Sequence, residues 1–270
     1  MQRVAVFGAA GRMGAEVCRA VAAADDLELV AAVDPAAAGR PLAEVAGIPA
    51  GPLVVAASAA EIAERGVEVA VDFTHGSAAP AHLHWCADNG VHVVSGTTGL
   101  AAGETARLRE RFSAPEAPNA IMAPNFAISA VLLARFAEIA ARHLEGVEII
   151  ELHHASKRDA PSGTALDTAR RIAAARERAG GGPFAPDPTL EERLPGSRGA
   201  LGPEGIRIHA VRLPGLVAHQ EVIFGALGQA LTIRQDSFER TSFMPGVLLA
   251  VRRVPLTPGF TLGLEAILAL

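Results

Sequence analysis

Of the 24 basic residues in this 270-residue chain only one is lysine, Lys157; the remaining 23 are arginine. Arginine serves for surface charge and for anion binding, but it does not release a proton near neutral pH, whereas lysine does. A lysine retained in so arginine-biased a composition is a candidate for proton chemistry; the alternative is a chance surface position. Cysteine is also scarce. Cys18 and Cys86 form no CxxC pair and no metal-type spacing. Both lie in stretches that read as helix, so buried thiols and a cytoplasmic location are expected. No uninterrupted apolar run reaches the ~18 residues of a membrane span. Met1 to Phe7 lacks a cationic segment followed by an apolar core, so neither a membrane partner nor an export signal is expected. A net charge of -5 with no basic stripe argues against a nucleic-acid partner. His82 and His84 share a segment without a third ligand nearby, and no metal is expected.

The pattern that is present changes part-way along the chain. Up to about Ala123, short apolar runs alternate with amphipathic stretches. Strands are expected at 3–7, 27–33, 68–73, 91–94 and 120–123, and helices at 14–24, 77–89 and 104–112. Such alternation with short links implies a doubly wound parallel sheet, a Rossmann-type α/β domain. From Ile128 a long helix (128–144), a strand (147–154) and a second long helix (164–178) follow. A Gly- and Pro-rich stretch, 180–203, reads as a mobile loop, and three closely spaced strands, 205–213, 217–224 and 229–234, suggest an antiparallel or mixed sheet. A helix at 245–254 closes the pattern. The expected organisation is a dinucleotide-binding domain (1–126 plus 240–270) with an inserted α+β substrate-binding and oligomerisation domain (127–239).

Gly8-Ala9-Ala10-Gly11-Arg12-Met13-Gly14 directly follows the first strand and opens a helix. Glycines there permit a tight turn and a close backbone approach to a pyrophosphate, and the helix start offers unpaired N–H groups. Asp34 ends the second strand about 20 residues on, where a carboxylate accepts from a ribose hydroxyl. A Gly-rich turn in an unrelated α/β fold is the alternative. Asp34 is followed by Pro35 and not by an arginine, so NADH is expected to serve at least as well as NADPH, with Arg12 or Arg40 as partial compensation for a 2′-phosphate. Gly96-Thr97-Thr98-Gly99 and Ala123-Pro124-Asn125-Phe126 also follow strands of this sheet, the place where open α/β sheets bind ligands.

The densest polar segment is Glu151-Leu152-His153-His154-Ala155-Ser156-Lys157-Arg158-Asp159-Ala160-Pro161-Ser162-Gly163-Thr164. Two histidines, the only lysine and an arginine sit at the end of an apolar strand, and a Ser-Gly-Thr turn then opens a helix whose free amides suit a carboxylate. Cations, proton donors and an anion site together fit a small dianion that takes up a proton during reaction. A solvated polar loop capping a helix is the alternative. If the strand continues through both histidines, they face opposite ways.

At these residues the chain resembles the 4-hydroxy-tetrahydrodipicolinate reductase family. The resemblance rests on GxxGRMG, DFTH at 72–75, GTTG at 96–99, APNF at 123–126, the run ELHHxxKxDAPSGTA at 151–165, LPGxRG at 194–199, VAHQEVIFG at 217–225 and RTSFMPGVLLA at 240–250. It implies reduction of the dehydrated cyclic dicarboxylate to tetrahydrodipicolinate with NADH or NADPH, and a homotetramer built through the second domain's sheet. It also implies His153 as proton donor and Lys157 as second acid/base or carboxylate partner. His154 would contact substrate, and Gly163 and Thr164 would hold a carboxylate. Gly8 to Met13, Asp34, Gly96 to Thr98 and Ala123 to Phe126 would hold the cofactor. Ala155-Ser156 stands where members often carry a further histidine or basic residue, which bears on substrate affinity. Two other readings compete: a Rossmann-type amino-acid dehydrogenase acting on an open-chain substrate, and a non-catalytic nucleotide-binding regulator, for which a DNA-binding helix pair would be needed.

Overall fold

The computed structural model describes residues 1–270. In chain order the elements are β1 (Gln2–Phe7), α1 (Arg12–Ala22), β2 (Leu27–Val33), α2 (Leu42–Ala46), β3 (Val69–Asp72), α3 (Ala79–Asp88), β4 (His92–Ser95), α4 (Glu104–Phe112) and β5 (Ala120–Met122). They continue with α5 (Ile128–Ala140), β6 (Gly146–His154), α6 (Gly163–Arg178), β7 (Ala200–Leu201), β8 (Arg207–Leu213), β9 (Ala218–Ala226) and β10 (Gln229–Ser237). The last three are α7 (Met244–Arg253), β11 (Phe260–Leu262) and α8 (Glu265–Leu268). The chain forms two compact units, one of Met1–Phe126 with Phe243–Leu270 and one of Ala127–Ser242.

The first unit is built on a six-stranded sheet in the order β11-β5-β4-β3-β1-β2, with every pair parallel. Val4, Val6, Val69 and Val71 lose all contact with solvent, as strands covered by helices on both faces must. α1 presents Gly14, Ala15, Val17, Cys18 and Val21 to the core at helical spacing. On the sheet's other side Phe7, Leu83, Leu108 and Phe112 pack together; full burial of each such side chain stabilises by roughly 1.5–3 kcal/mol. β1 lies between β2 and β3, so the order of strands reverses at the β1/β3 boundary. That is the switch point beyond which doubly wound sheets bind their ligands. β11 was not expected. It pairs with β5 from Phe260↔Ala120 to Leu262↔Met122 and adds a final strand to the sheet after α7.

The second unit carries a five-stranded mixed sheet, β10-β9-β6-β8-β7. β6 runs antiparallel to β9 and parallel to β8, so the chain crosses over through α6. α5 and α6 cover one face, where Leu133, Ile149, Ile172, Ile208, Val222 and Phe224 form the core. The stretch 180–203, expected to be mobile, is fastened instead. Ala185 N donates to the Glu145 carbonyl at 3.0 Å, Arg176 lies over the Phe184 ring at 4.5 Å, and Asp187 pairs with Arg207 at 2.7 Å. Within it β7 pairs antiparallel with β8.

Candidate active site

In the first unit the candidate cofactor surface is mainly backbone, joined by the Asp34 carboxylate. Gly8 has φ +80, and a Cβ there would come within 2.8 Å of the Phe73 carbonyl oxygen, so the loop after β1 rests directly on the loop after β3. A Cβ on Gly14 would overlap the Gly8 carbonyl oxygen. The first turn of α1 therefore sits against the glycine loop only because both positions lack side chains. Gly11 caps the helix without a side-chain acceptor. The amides of Arg12 and Met13, in the first turn, have no acceptor within the helix. These features fit a pyrophosphate: a tight loop, a helix start and free amides. Ala10, Gly11 and Arg12 are exposed, whereas Ala9 is buried and shapes the loop from behind.

Asp34 stands at the end of β2 as expected, and it is held. Its Oδ2 accepts from Ala10 N at 2.9 Å and its Oδ1 from Ala36 N at 3.0 Å. Each carboxylate oxygen has capacity for a further donor, so both can still accept from ribose hydroxyls.

The next two loops are tied together by Asp72, a residue the sequence did not single out. It is completely buried at the end of β3. Its Oδ1 accepts from Thr97 Oγ1 at 2.6 Å and from Thr74 Oγ1 at 2.9 Å, and its Oδ2 lies 2.9 Å from His82 Nδ1. The His82 ring stacks on Phe7 at 4.7 Å. Gly96 lies where any Cβ would overlap the Phe73 ring, and Phe73 in turn packs on Phe126 at 5.6 Å. Of the residues expected to touch cofactor, Thr97, Ala123 and Phe126 therefore turn their side chains inward, and Thr98 and Pro124 are exposed. Gly96 and Asn125 lie at intermediate depth. An acid ending a strand, followed by threonine and by a threonine-rich turn after the next strand, was the available signal for Asp72.

In the second unit the candidate surface is mainly side chains, joined by the amides at the start of α6. β6 continues through His154, so His153 and His154 lie on opposite faces of the sheet. His153 is on the face covered by α5 and α6, the same face as Glu151 and Ile149. His154 is on the other face, where its Nδ1 lies 2.8 Å from Ser156 Oγ. The structure thus separates two residues that were expected to act on one substrate, because strand geometry alternates them.

Glu151, also missed, is the buried hub of this segment. Its Oε2 accepts from His153 Nδ1 at 2.6 Å and from Arg212 Nη1 at 2.7 Å, and its Oε1 from Arg212 Nη2 at 2.7 Å and Ser162 N at 3.1 Å. Burial pushes the Glu151 pKa up, but hydrogen bonds and charge from Arg212 and His153 outweigh it and hold the carboxyl below its ordinary value. For His153, burial is the largest influence and lowers the pKa; Glu151 raises it, Lys157 and Arg212 lower it further, and the net position is below the ordinary histidine value. Lys157 Nζ donates to both oxygens of Asp159, at 2.8 and 2.7 Å. That bond is the main reason the Asp159 pKa is lowered. Ser162 Oγ caps α6 by accepting from Ala165 N at 3.1 Å. This leaves the first-turn amides of Gly163 and Thr164 for an external acceptor. Gly163 is exposed, with nothing within 4 Å of where a Cβ would stand.

Both cysteines are free and buried, and burial pushes the Cys18 thiol up to about 12 and the Cys86 thiol up as well. No three His, Cys, Asp or Glu side chains gather in a metal-holding group, and no helix is long and apolar enough to cross a membrane.

Comparison with known proteins gives matches over nearly the whole chain. Residues 2–126 match the family model described as dihydrodipicolinate reductase, N-terminus, and residues 129–268 the model described as dihydrodipicolinate reductase, C-terminus. The chain belongs to the dihydrodipicolinate reductase family. Among its relatives, the 4-hydroxy-tetrahydrodipicolinate reductase of Nocardia farcinica is 50% identical over 268 residues, covering 99% of each chain. That of Streptomyces coelicolor is 48% identical, covering 99% of this chain and 98% of its own. A solved dihydrodipicolinate reductase from Paenisporosarcina sp. TG-14, with dipicolinate bound, superposes with a TM-score of 0.86 at 40% identity over 99% of each chain. An amine dehydrogenase from Mycobacterium smegmatis, at 15% identity and a TM-score of 0.66, shares the fold alone. Family membership makes the chain a reductase that works with a nicotinamide cofactor.

Proposed function

We propose that this chain reduces 4-hydroxy-tetrahydrodipicolinate, after loss of water, to tetrahydrodipicolinate in the diaminopimelate route to lysine. The observation that carries the reading is the second unit's polar segment. There His153, held through Nδ1, and Lys157 accompany a helix start with two free amides. The relative solved with dipicolinate, a planar cyclic dicarboxylate, supports the substrate class.

The cofactor fits the glycine loop, whose tight turn and first-turn amides match a pyrophosphate, and Asp34 fits its ribose. When bound, a reduced nicotinamide supplies the hydride. Gly163 and Thr164 would hold one substrate carboxylate through their amides, and Lys157 offers a mobile cation for a second. Hydride addition to a C=C or C=N bond conjugated with a carboxylate leaves an electron pair on the neighbouring atom. The imidazolium of His153 gives that atom the proton from Nε2, because Nδ1 is committed to Glu151. His153 then rests as the neutral ring and regains its proton from water. Asp34 favours NADH at least as strongly as NADPH, since its carboxylate repels a 2′-phosphate. A homotetramer built through the second sheet is part of the reading. The face opposite α5 and α6 carries Ile150, Leu152, Val211 and Ile223, each only half-buried, beside exposed Leu213. Two free, buried cysteines favour a cytoplasmic setting.

The test is NADH and NADPH consumption with the freshly formed condensation product of pyruvate and aspartate semialdehyde. Turnover with kcat/KM for NADH equal to or above that for NADPH is expected. No turnover with either donor would remove the proposal, and a large excess for NADPH would remove the cofactor preference.

A further inference from the structure

One side chain holds the anchors of His153, Lys157 and the start of α6 together. Glu151 is completely buried, and four N–H donors converge on it: His153 Nδ1, both terminal nitrogens of Arg212, and the Ser162 amide. Arg212 Nη2 also donates to the Asp159 carbonyl oxygen at 2.8 Å, and the Asp159 carboxylate receives Lys157. Ser162 is the cap of α6, directly before the Gly163 and Thr164 amides.

We propose that Glu151, compensated by Arg212, is the positioning residue of the reaction. It fixes His153 as the Nδ1–H tautomer, so that Nε2 is the reacting nitrogen, and it locks that nitrogen in register with the carboxylate-holding start of α6. The inference rests on the proposed function of the same site and deepens it.

A carboxylate is the only side chain that can answer these four donors, because it accepts at every position and donates at none. An acceptor that cannot donate leaves a neutral His153 one choice of tautomer: the proton sits on Nδ1 and Nε2 is unprotonated. The logic is that of the buried aspartate in serine hydrolases, which orients a histidine without itself moving a proton. Arg212 makes the burial tolerable. Its two parallel hydrogen bonds supply a matching charge, without which burial would drive Glu151 toward its neutral form, a donor. The charged groups facing His153 are Glu151 on its own strand, Arg212 on β8 and Lys157 in the loop after β6. Of these only Glu151 favours the imidazolium. A space-filling role for Glu151 predicts lost stability and nothing else; a positioning role predicts a changed tautomer and a shifted pH dependence.

The variant that separates these is Glu151→Gln. The glutamine carbonyl replaces one carboxylate oxygen, but its NH2 faces two of the four donors. The expected result is a fall in kcat of roughly 100-fold, with the KM for NADH unchanged. The limb on which kcat falls with rising pH should also move to lower pH, because the one group that raises the His153 pKa has lost its charge. Glu151→Asp, which keeps the charge, should recover part of kcat and return the limb toward its native position. A kcat within about threefold of native with an unmoved limb would overturn the proposal. Should Glu151→Gln fail to fold, nitrogen-15 NMR of the native chain decides. It should show His153 protonated at Nδ1 and bare at Nε2, and the opposite tautomer would overturn the proposal. That readout needs no substrate. Absence of turnover in the native chain would count against the reductase reading alone, and a wrong tautomer in an active enzyme against this inference alone.

Discussion

In the first unit the groups proposed for a ligand are mainly backbone, with Asp34 as the exception, and in the second mainly side chains, with the Gly163 and Thr164 amides as the exception. The loop after β1 works because Gly8 and Gly14 lack a Cβ, so turn and helix start can touch. The segment after β6 works because charged groups are wired to one another through Glu151. Under each lies a completely buried acid with a histidine on it, Asp72 with His82 and Glu151 with His153. The difference is in how the buried charge is met. Asp72 is surrounded by threonine hydroxyls, an amide and a histidine, whereas Glu151 has a guanidinium. The Asp72 network thus holds its acid without an arginine or lysine beside it. A side-chain site that must hold a proton donor needs a permanent countercharge.

Removing that countercharge should do the greatest damage. Arg212→Met leaves Glu151 buried without its guanidinium, with only His153 and the Ser162 amide on it, and is expected to cost about 3–5 kcal/mol of folding stability, measured by urea denaturation. A loss below about 1 kcal/mol would show that Glu151 is neutral or hydrated, and the contrast with Asp72 would disappear. Lys157→Ala should lower kcat by roughly 100-fold. Lys157→Arg should remain nearly as slow if a proton moves there, and full activity in the arginine variant would reduce Lys157 to a carboxylate anchor. Gly14→Ala forces a methyl into the Gly8 carbonyl and should cost about 1–3 kcal/mol, with NADH binding weakened more than binding of dipicolinate, as read by calorimetry. Equal weakening of both would mean that the backbone site is not local. Asp34→Ala should raise the KM for NADH by roughly tenfold, the weight of one hydrogen bond to a charged group, and leave the KM for NADPH equal or lower. An unchanged ratio would detach Asp34 from the ribose. The smallest effect is on acid stability. The Glu151 pKa is lowered on folding, so its contribution is present in full above the ordinary carboxyl value and is lost as pH falls through the lowered one. The native Tm should drop in that window, and the Arg212→Met profile should be flatter there.

The loops were legible in sequence because glycine and alternating apolar runs are local signals. Gly8 and Gly11 stand between a strand and a helix and Gly14 lies in that helix's first turn, while Ser162-Gly163-Thr164 opens another. The buried acids were not legible in the same way. Glu151 reads as one more residue in an alternating strand, and its partner Arg212 is 61 residues away. The stretch 180–203 looked loose because its composition breaks every period, while the ion pairs of Asp187 with Arg198 and Arg207 that fasten it are contacts no window reveals. β11, three residues between two glycines, is too short for any periodicity and exists because β5 offers it an open edge. The alternation of His153 and His154 could be stated in advance only as a condition, since it depended on how far the strand ran.

The isolation of Lys157 gives the protein a built-in reporter. Its Nζ is the only ε-amine in the chain and pairs with Asp159, and the side chain as a whole is 18% exposed. Amine-directed acylation of lysine therefore has one target along these 270 residues. If Lys157 meets the substrate as proposed, the yield of modified peptide around position 157 becomes a footprint of occupancy. Mass spectrometry of that single peptide, with and without a cyclic dicarboxylate, would follow binding in a mixture of proteins without purification and without any turnover.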